Sequence, residues 1–187
     1  MKIGVLALQG DFQEHCNILN KLDVDSVEIR NRKDMKDIDG LIIPGGESTT
    51  LMKLLRKYLL DKEIRNQKMP IFGSCAGAIV LAKEVTNPSQ TSLKLIDIEI
   101  ERNSYGRQIN SFEADIEIQD FKKRFPAIFI RAPRIKKLGN GSTILAMHKK
   151  SPILLRNGRI LISTFHPELT NDNRIHKLFL DMVKQNI

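Results

Sequence analysis

Met69-Pro70-Ile71-Phe72-Gly73-Ser74-Cys75-Ala76-Gly77-Ala78-Ile79-Val80-Leu81-Ala82 sets an apolar run directly before a turn of small residues and a helix-forming stretch. The pattern reads as strand, elbow and helix, with the helix running to about Glu84. Small residues on both sides of Cys75 let the backbone turn sharply and leave its side chain exposed at the tip, the geometry of a nucleophile elbow carrying a thiol. The turn Gly73-Ser74-Cys75-Ala76-Gly77 also admits a second reading, since free cysteine is among the most buried residue types and a tight turn into a helix is ordinary packing.

Outward from the elbow, the chain alternates strands and helices. Lys2 to Leu8 is a continuous apolar run, as expected of a strand buried on both faces, and Gln9-Gly10-Asp11 ends it. Phe12, Cys16, Ile18, Leu19 and Leu22 then recur near helical spacing. Short strands follow at Ser26 to Ile29 and Gly40 to Ile43, and one helical stretch is expected from Thr50 to Asn66. Such βα units build a three-layer α/β/α fold on a mostly parallel sheet. The middle of the chain departs from this pattern. Ile96 to Arg102 and Phe112 to Ile118 alternate apolar and charged residues, the period of half-exposed antiparallel strands, and read as an insertion or sheet extension. Ser142 to Met147, Pro152 to Leu155 and Arg159 to Thr164 return to strands, the last two joined at Asn157-Gly158. A closing helix from Arg174 to Gln185 places Ile175, Leu178, Phe179, Met182 and Val183 on one stripe.

The 187 residues are expected to form a single domain, and 41% hydrophobic content excludes a disordered chain. Two cysteines, Cys16 and Cys75, give no disulfide framework and no zinc-ligand spacing, which fits a reducing, cytoplasmic setting without a metal or other cofactor. No segment is long and apolar enough to span a membrane, so no membrane partner is expected. The net charge of +8 raises the question of nucleic acid, but the basic residues are scattered and aromatic residues are only 5%, so no stacking platform or recognition helix emerges. A solvated basic surface is the favoured reading of the charge, with steering toward an acidic protein partner as the second.

Phe165-His166-Pro167-Glu168 follows the last strand and puts an imidazole and a carboxylate two residues apart, on one side of an extended segment. Taken singly, His166 reads as a surface histidine and Glu168 as a turn cap. Thiol, imidazole and carboxylate at the carboxyl ends of strands together form the set needed for nucleophilic acyl transfer. Pro44-Gly45-Gly46-Glu47-Ser48-Thr49-Thr50 lies at another strand's carboxyl end and enters a helix. Its glycines can turn backbone N–H groups toward a developing negative charge. The loop is equally compatible with a helix N-cap at Ser48 or Thr49, and it lacks the lysine of a nucleotide-binding Walker sequence.

These three segments together resemble the class I, triad-type glutamine amidotransferases. Further runs narrow the resemblance to the family of glutaminase subunits of pyridoxal 5'-phosphate synthase: Leu8-Gln9-Gly10-Asp11 with Glu14-His15, Arg102-Asn103-Ser104-Tyr105-Gly106-Arg107-Gln108, Ser111-Phe112-Glu113, Phe129-Ile130-Arg131-Ala132-Pro133 and His166-Pro167-Glu168-Leu169-Thr170. The likeness covers essentially the whole chain and departs at Ser74, where the family usually has threonine. It implies a flavodoxin-like fold and hydrolysis of L-glutamine to glutamate and ammonia, the ammonia passing to a separate barrel-shaped synthase subunit. By the same likeness Cys75 is the nucleophile, His166 the proton carrier and Glu168 its orienting partner. Backbone N–H groups of Gly46 and Ala76 form the oxyanion hole, and Gly46, Glu47, Ser48, Arg102, Ile130 and Arg131 hold the glutamine. Periodicity alone would make Arg102 an exposed charge on a half-buried strand. Family members reach full activity only with their synthase partner, which implies a Gly45-Gly46 loop misaligned in the free subunit. Gln9 to His15 is a candidate partner contact, though His15 reads equally well as a helix-surface residue.

Two other readings are compatible with the same triad. One is the ammonia-donating subunit of another synthase, against which the Arg102 to Gln108 run and the Gln9-Gly10-Asp11 start argue. The other is a non-catalytic interaction module of related fold with an inert or redox-sensing Cys75, which the presence of His166 and Glu168 disfavours.

Overall fold

The computed structural model describes residues 1–104 and 111–186. Tyr105-Gly106-Arg107-Gln108, part of one run that carries the resemblance, lies outside the described residues. Among them, β1 (Lys2–Leu6), α1 (Phe12–Lys21), β2 (Asp25–Ile29), β3 (Gly40–Ile43), α2 (Ser48–Lys57), α3 (Leu60–Asn66), β4 (Ile71–Ser74) and α4 (Ala76–Leu81) follow in chain order. Next come β5 (Ala82–Thr86), β6 (Ile96–Glu101), β7 (Ser111–Ile116), β8 (Phe125–Ile130), β9 (Arg134–Leu138), β10 (Ser142–His148), β11 (Ser151–Asn157), β12 (Ile160–Ser163) and α5 (Arg174–Lys184).

The central seven-stranded sheet has the order β10-β11-β12-β4-β3-β1-β2. Its five strands from β12 to β2 are parallel, while β10 and β11 extend it as antiparallel neighbours. The parallel part is the flavodoxin-like order, which directs ligands to the carboxyl ends of the strands near the switch between β1 and β3. All four residues of β3, β4 and β12 are buried, as their apolar sequences require of central strands. One face of the sheet carries α2, α3 and α4 through Leu51, Leu55, Leu60, Ile64 and Val80. The other carries α1 and α5 through Leu19, Phe179 and Val183 packed on Ile3, Ile42 and Phe72. The three expected layers are therefore present.

Several boundaries differ from the sequence reading. The stretch expected as one helix from Thr50 to Asn66 is two, because Leu59 turns left-handed at φ 58° and breaks it. The elbow helix stops at Leu81 rather than Glu84. Ala82–Thr86 is claimed instead by parallel pairing with β6, and tertiary pairing outweighs local helix propensity there. The middle strands are not all antiparallel. Strand β6 lies between β5, parallel, and β9, antiparallel, while β7 and β8 form an antiparallel pair.

Candidate active site

Cys75 sits between the last residue of β4 and the first of α4, at φ 46° and ψ −100°. An L-residue holds such a backbone only where the surroundings enforce it. Its N–H donates to Ser163 O of the neighbouring β12 at 2.9 Å, which pins the turn to the sheet. The helix can follow so closely because Gly77 lies against β3: a Cβ there would be 2.0 Å from Ile43 O. The thiol, buried to 5% exposure, has Ile130 O from the end of β8 at 3.8 Å.

His166 follows β12 and is anchored by its N–H donating to Ile128 O at 2.8 Å. Its Nδ1 meets Glu168 Oε1 at 2.8 Å, with Asp11 Oδ2 farther away at 3.5 Å. Burial of the imidazole opposes its protonation, but hydrogen bonds to Cys75 and Glu168 and the charges they carry outweigh it, and His166 is pushed up to about 11. Glu168 is buried as well, and burial pushes its carboxyl up while the bond from His166 pulls it back. Thiol, imidazole and carboxylate thus form one connected line, as the order of the three residues in the sequence suggests.

The cleft in front of them, about 480 Å³, is lined by Gly46, Glu47, Ser48, Arg102, Ile130 and Arg131 together with Cys75 and His166. Every side chain expected to touch substrate is therefore gathered at one place. Arg102, read from periodicity as an exposed charge, has a side chain only 15% exposed and reaches Glu47 Oε1 with Nη2 at 3.3 Å. Glu47 is itself the N-cap of α2, a place expected of Ser48 or Thr49. Its carboxylate accepts from Thr49 N at 3.0 Å and Thr50 N at 2.6 Å. Partial burial works against the charge, but these bonds from Thr50 and Thr49 hold Glu47 down at about 2. Ser48 is buried and donates to Gln90 Oε1 at 2.9 Å, and Arg131 turns left-handed at φ 45°. Ala76, at 1% exposure, opens α4 directly after the thiol and is not itself among the residues that line the cleft.

Sequence reasoning passed over Asp11, Asn103, Ile79 and Leu169, which also line the cleft. For Asp11 a signal existed, since it closes the turn after the first strand. His15 is not the helix-surface residue that one reading of the sequence made it: it is fully buried, and its Nε2 lies 3.5 Å from Glu168 Oε2. Asp11, His166 and Glu168 each present one ligand atom within 4.8 Å of the others, yet His166 Nδ1 is already engaged by Glu168, so the group reads as a hydrogen-bonded cluster.

A cysteine at an elbow, an imidazole and a carboxylate just past the end of the adjacent strand, and an arginine lining the cleft are the groups that cysteine acyl transfer requires, carried on a flavodoxin-like sheet. The chain belongs to the SNO glutamine amidotransferase family, whose model matches residues 5–185. It is 50% identical to "Pyridoxal 5'-phosphate synthase subunit PdxT" of Thermosipho africanus, over 99% of this chain and all of that one. The protein of the same name from Thermotoga neapolitana is 49% identical over 98% of this chain and all of its own length. A crystal structure of a glutamine amidotransferase superposes with a TM-score of 0.92 at 44% identity, covering 97% of this chain and 98% of the other. A glutamine amidotransferase from Thermotoga maritima shares the fold alone, with a TM-score of 0.63 at 14% identity over 100% of this chain and 83% of that one.

Proposed function

We propose that this chain is the glutaminase subunit of a pyridoxal 5'-phosphate synthase. It hydrolyses L-glutamine to L-glutamate and ammonia and hands the ammonia to a separate, barrel-shaped synthase subunit. The observation that carries the reading is the Cys75, His166 and Glu168 line at the base of a cleft edged by Arg102, in a chain half identical along its length to relatives bearing that subunit's name. Residues 1–187 act in this reading as one glutamine amidotransferase domain.

The Cys75 thiolate attacks the side-chain amide carbon of glutamine, and the carbonyl oxygen becomes an oxyanion facing the backbone N–H groups of Gly46 and Ala76. One such donor is worth on the order of 10²–10³ in rate. An imidazolium at His166 is the counter-ion a thiolate nucleophile needs, and it supplies the proton that leaves with ammonia as the tetrahedral species collapses to a thioester. Neutral His166 then takes a proton from water, which attacks the thioester and releases glutamate and the free sulfur. Glu168 keeps the imidazole in the tautomer whose Nε2 faces the reacting atoms. The substrate's α-carboxylate suits the Arg102 fork, with Glu47, Ser48, Ile130 and Arg131 completing the pocket.

The test is glutamate release from L-glutamine with and without the cognate synthase subunit, with Cys75→Ala as control. Partner-stimulated release that the substitution abolishes supports the reading. Cysteine-dependent release indifferent to the partner would keep the glutaminase and remove the vitamin B6 assignment, and no release at all would overturn both.

A further inference from the structure

Behind the triad, on the side away from the cleft, lies a group of polar side chains that the reaction as described does not use. His15 on α1, Ser74 at the end of β4 and His176 on α5 are all fully buried. His15 Nδ1 lies 2.9 Å from His176 Nε2, and His15 Nε2 lies 3.2 Å from Ser74 Oγ and 3.5 Å from Glu168 Oε2. Ser74 Oγ in turn donates toward Glu168 Oε1 at 3.4 Å, the oxygen already held by His166. Phe72 walls the pair off, its ring edge-to-face with both imidazoles at 6.0 Å.

Buried polar groups are expensive unless paired, so the direction of each hydrogen bond can be worked out. Suppose His15 donated from Nδ1 to His176. Its Nε2 lone pair would then face the lone pairs of Glu168 Oε2, and His176 would carry its proton on Nδ1, which has no partner among the described residues. That arrangement combines a repulsion with an orphaned buried donor. The reverse arrangement removes both faults. His176 donates from Nε2 to His15 Nδ1, and His15 donates from Nε2 to Ser74 Oγ, with that same nitrogen 3.5 Å from Glu168 Oε2, an oxygen that has no hydrogen bond of its own among the described residues. The Ser74 hydroxyl proton is left for Glu168 Oε1, and of this group only acceptors, His176 Nδ1 and Glu168 Oε2, go without a hydrogen bond, the cheaper omission.

We propose that His15, its tautomer set by His176, is a positioning residue that holds the Glu168 carboxylate by the oxygen His166 does not use. The inference rests on the assignment of Glu168 to the glutaminase triad. A carboxylate gripped at one oxygen only can rotate about its terminal bond, and His166 would follow it. Gripped from both sides, it fixes the imidazole plane over Cys75. The grip is also electrically quiet. Burial, followed by the nearby His176 and His166, holds His15 well below the ordinary histidine range, and burial takes His176 down to about 4. Both rings are therefore neutral at working pH, and the Glu168 charge stays available to His166.

The experiment uses the chain with its cognate synthase subunit and compares wild type, Cys75→Ala, His15→Leu and His15→Gln in steady-state glutamate release, with melting curves for each. Removing one partner of a buried charged group corresponds to roughly 10–100-fold. The expected result is a kcat loss of that size for His15→Leu with KM within about twofold, and recovery of most of it in His15→Gln, whose amide Nε2–H can reach the same oxygen. The ¹⁵N shifts of wild-type His15 should report a proton on Nε2 and none on Nδ1, which also decides the matter if His15→Leu does not fold. A proton on Nδ1, an unchanged kcat in His15→Leu, or equal impairment of folded His15→Leu and His15→Gln would each overturn the inference. Release that survives in Cys75→Ala would instead remove the triad assignment, and this inference with it.

Discussion

Gly45 lies flat against His166: a Cβ built on the glycine would be 2.4 Å from Cε1 of the imidazole and 2.9 Å from Nδ1. The loop after β3 therefore does more than enter α2, since its backbone is the wall against which the ring rests. Gly45→Ala must push the ring away from Cys75 or displace the loop, and misplacement by about 1 Å can cost 10²-fold in rate. We expect a kcat decrease of that order with KM changed far less, measured as glutamate release in the presence of the synthase subunit. Wild-type kcat in this variant would show that the ring is free to move.

Glu168→Gln preserves shape while removing charge and allowing the wrong imidazole tautomer. In sites of this type the analogous change costs on the order of 10²–10⁴ in kcat. The folded variant should bind a glutamine analogue with near-normal affinity, so a loss confined to binding would speak against the orienting role.

His166 is raised from 6.5 to about 11 in the folded chain. A raised value stabilises the fold fully below the unfolded value of 6.5 and loses that contribution as pH climbs toward 11. The melting-temperature gap between wild type and His166→Gln should accordingly be widest in mildly acidic buffer and close progressively at alkaline pH. A gap independent of pH would contradict the protonated resting imidazole.

Glu47 is lowered from 4.5 to about 2, so its contribution is present above 4.5 and disappears as pH falls through about 2. Glu47→Ala removes the cap of α2 and the partner of Arg102. Loss of an N-cap costs about 1 kcal/mol, or roughly 2–4 °C in melting temperature for a chain of this size. Calorimetry at neutral pH should show that drop and no difference from wild type near pH 2.

Arg102→Lys keeps the charge but loses the planar fork that matches a carboxylate. We expect KM for glutamine to rise about tenfold or more with kcat nearly unchanged, the signature of lost uniform binding. A fall in kcat with KM intact would move Arg102 from substrate binding to the chemical step.

Much of this arrangement is readable from residue types. The elbow, the diglycine loop and the His-Pro-Glu segment are each contiguous and sit where strands end, so periodicity and turn chemistry locate them without coordinates. Strands β8 and β9 were missed because Pro126 and the run Arg134-Ile135-Lys136-Lys137-Leu138 conceal their alternation. The break at Leu59 had no signal, since nothing in Tyr58-Leu59-Leu60 favours a left-handed residue. His15 and His176 were hidden in a different way. His15 falls on the apolar stripe between Phe12 and Leu19, and His176 on the one running to Leu180 and Val183. A polar residue on a buried stripe is itself a signal, but what it faces depends on two helices meeting behind β4, and no local pattern encodes that meeting.

The pairing of β4 with β12 sets Ile71 beside Ile160, and with it the thiol just past the end of one strand near the imidazole just past the end of the next. Closing that contact requires the entire middle of the chain to be looped out first, and long loops form slowly. Sulfur and imidazole therefore meet only where β4 and β12, the paired neighbours of the central sheet farthest apart in sequence, have found each other: a chain that has yet to pair them carries a thiol without its base.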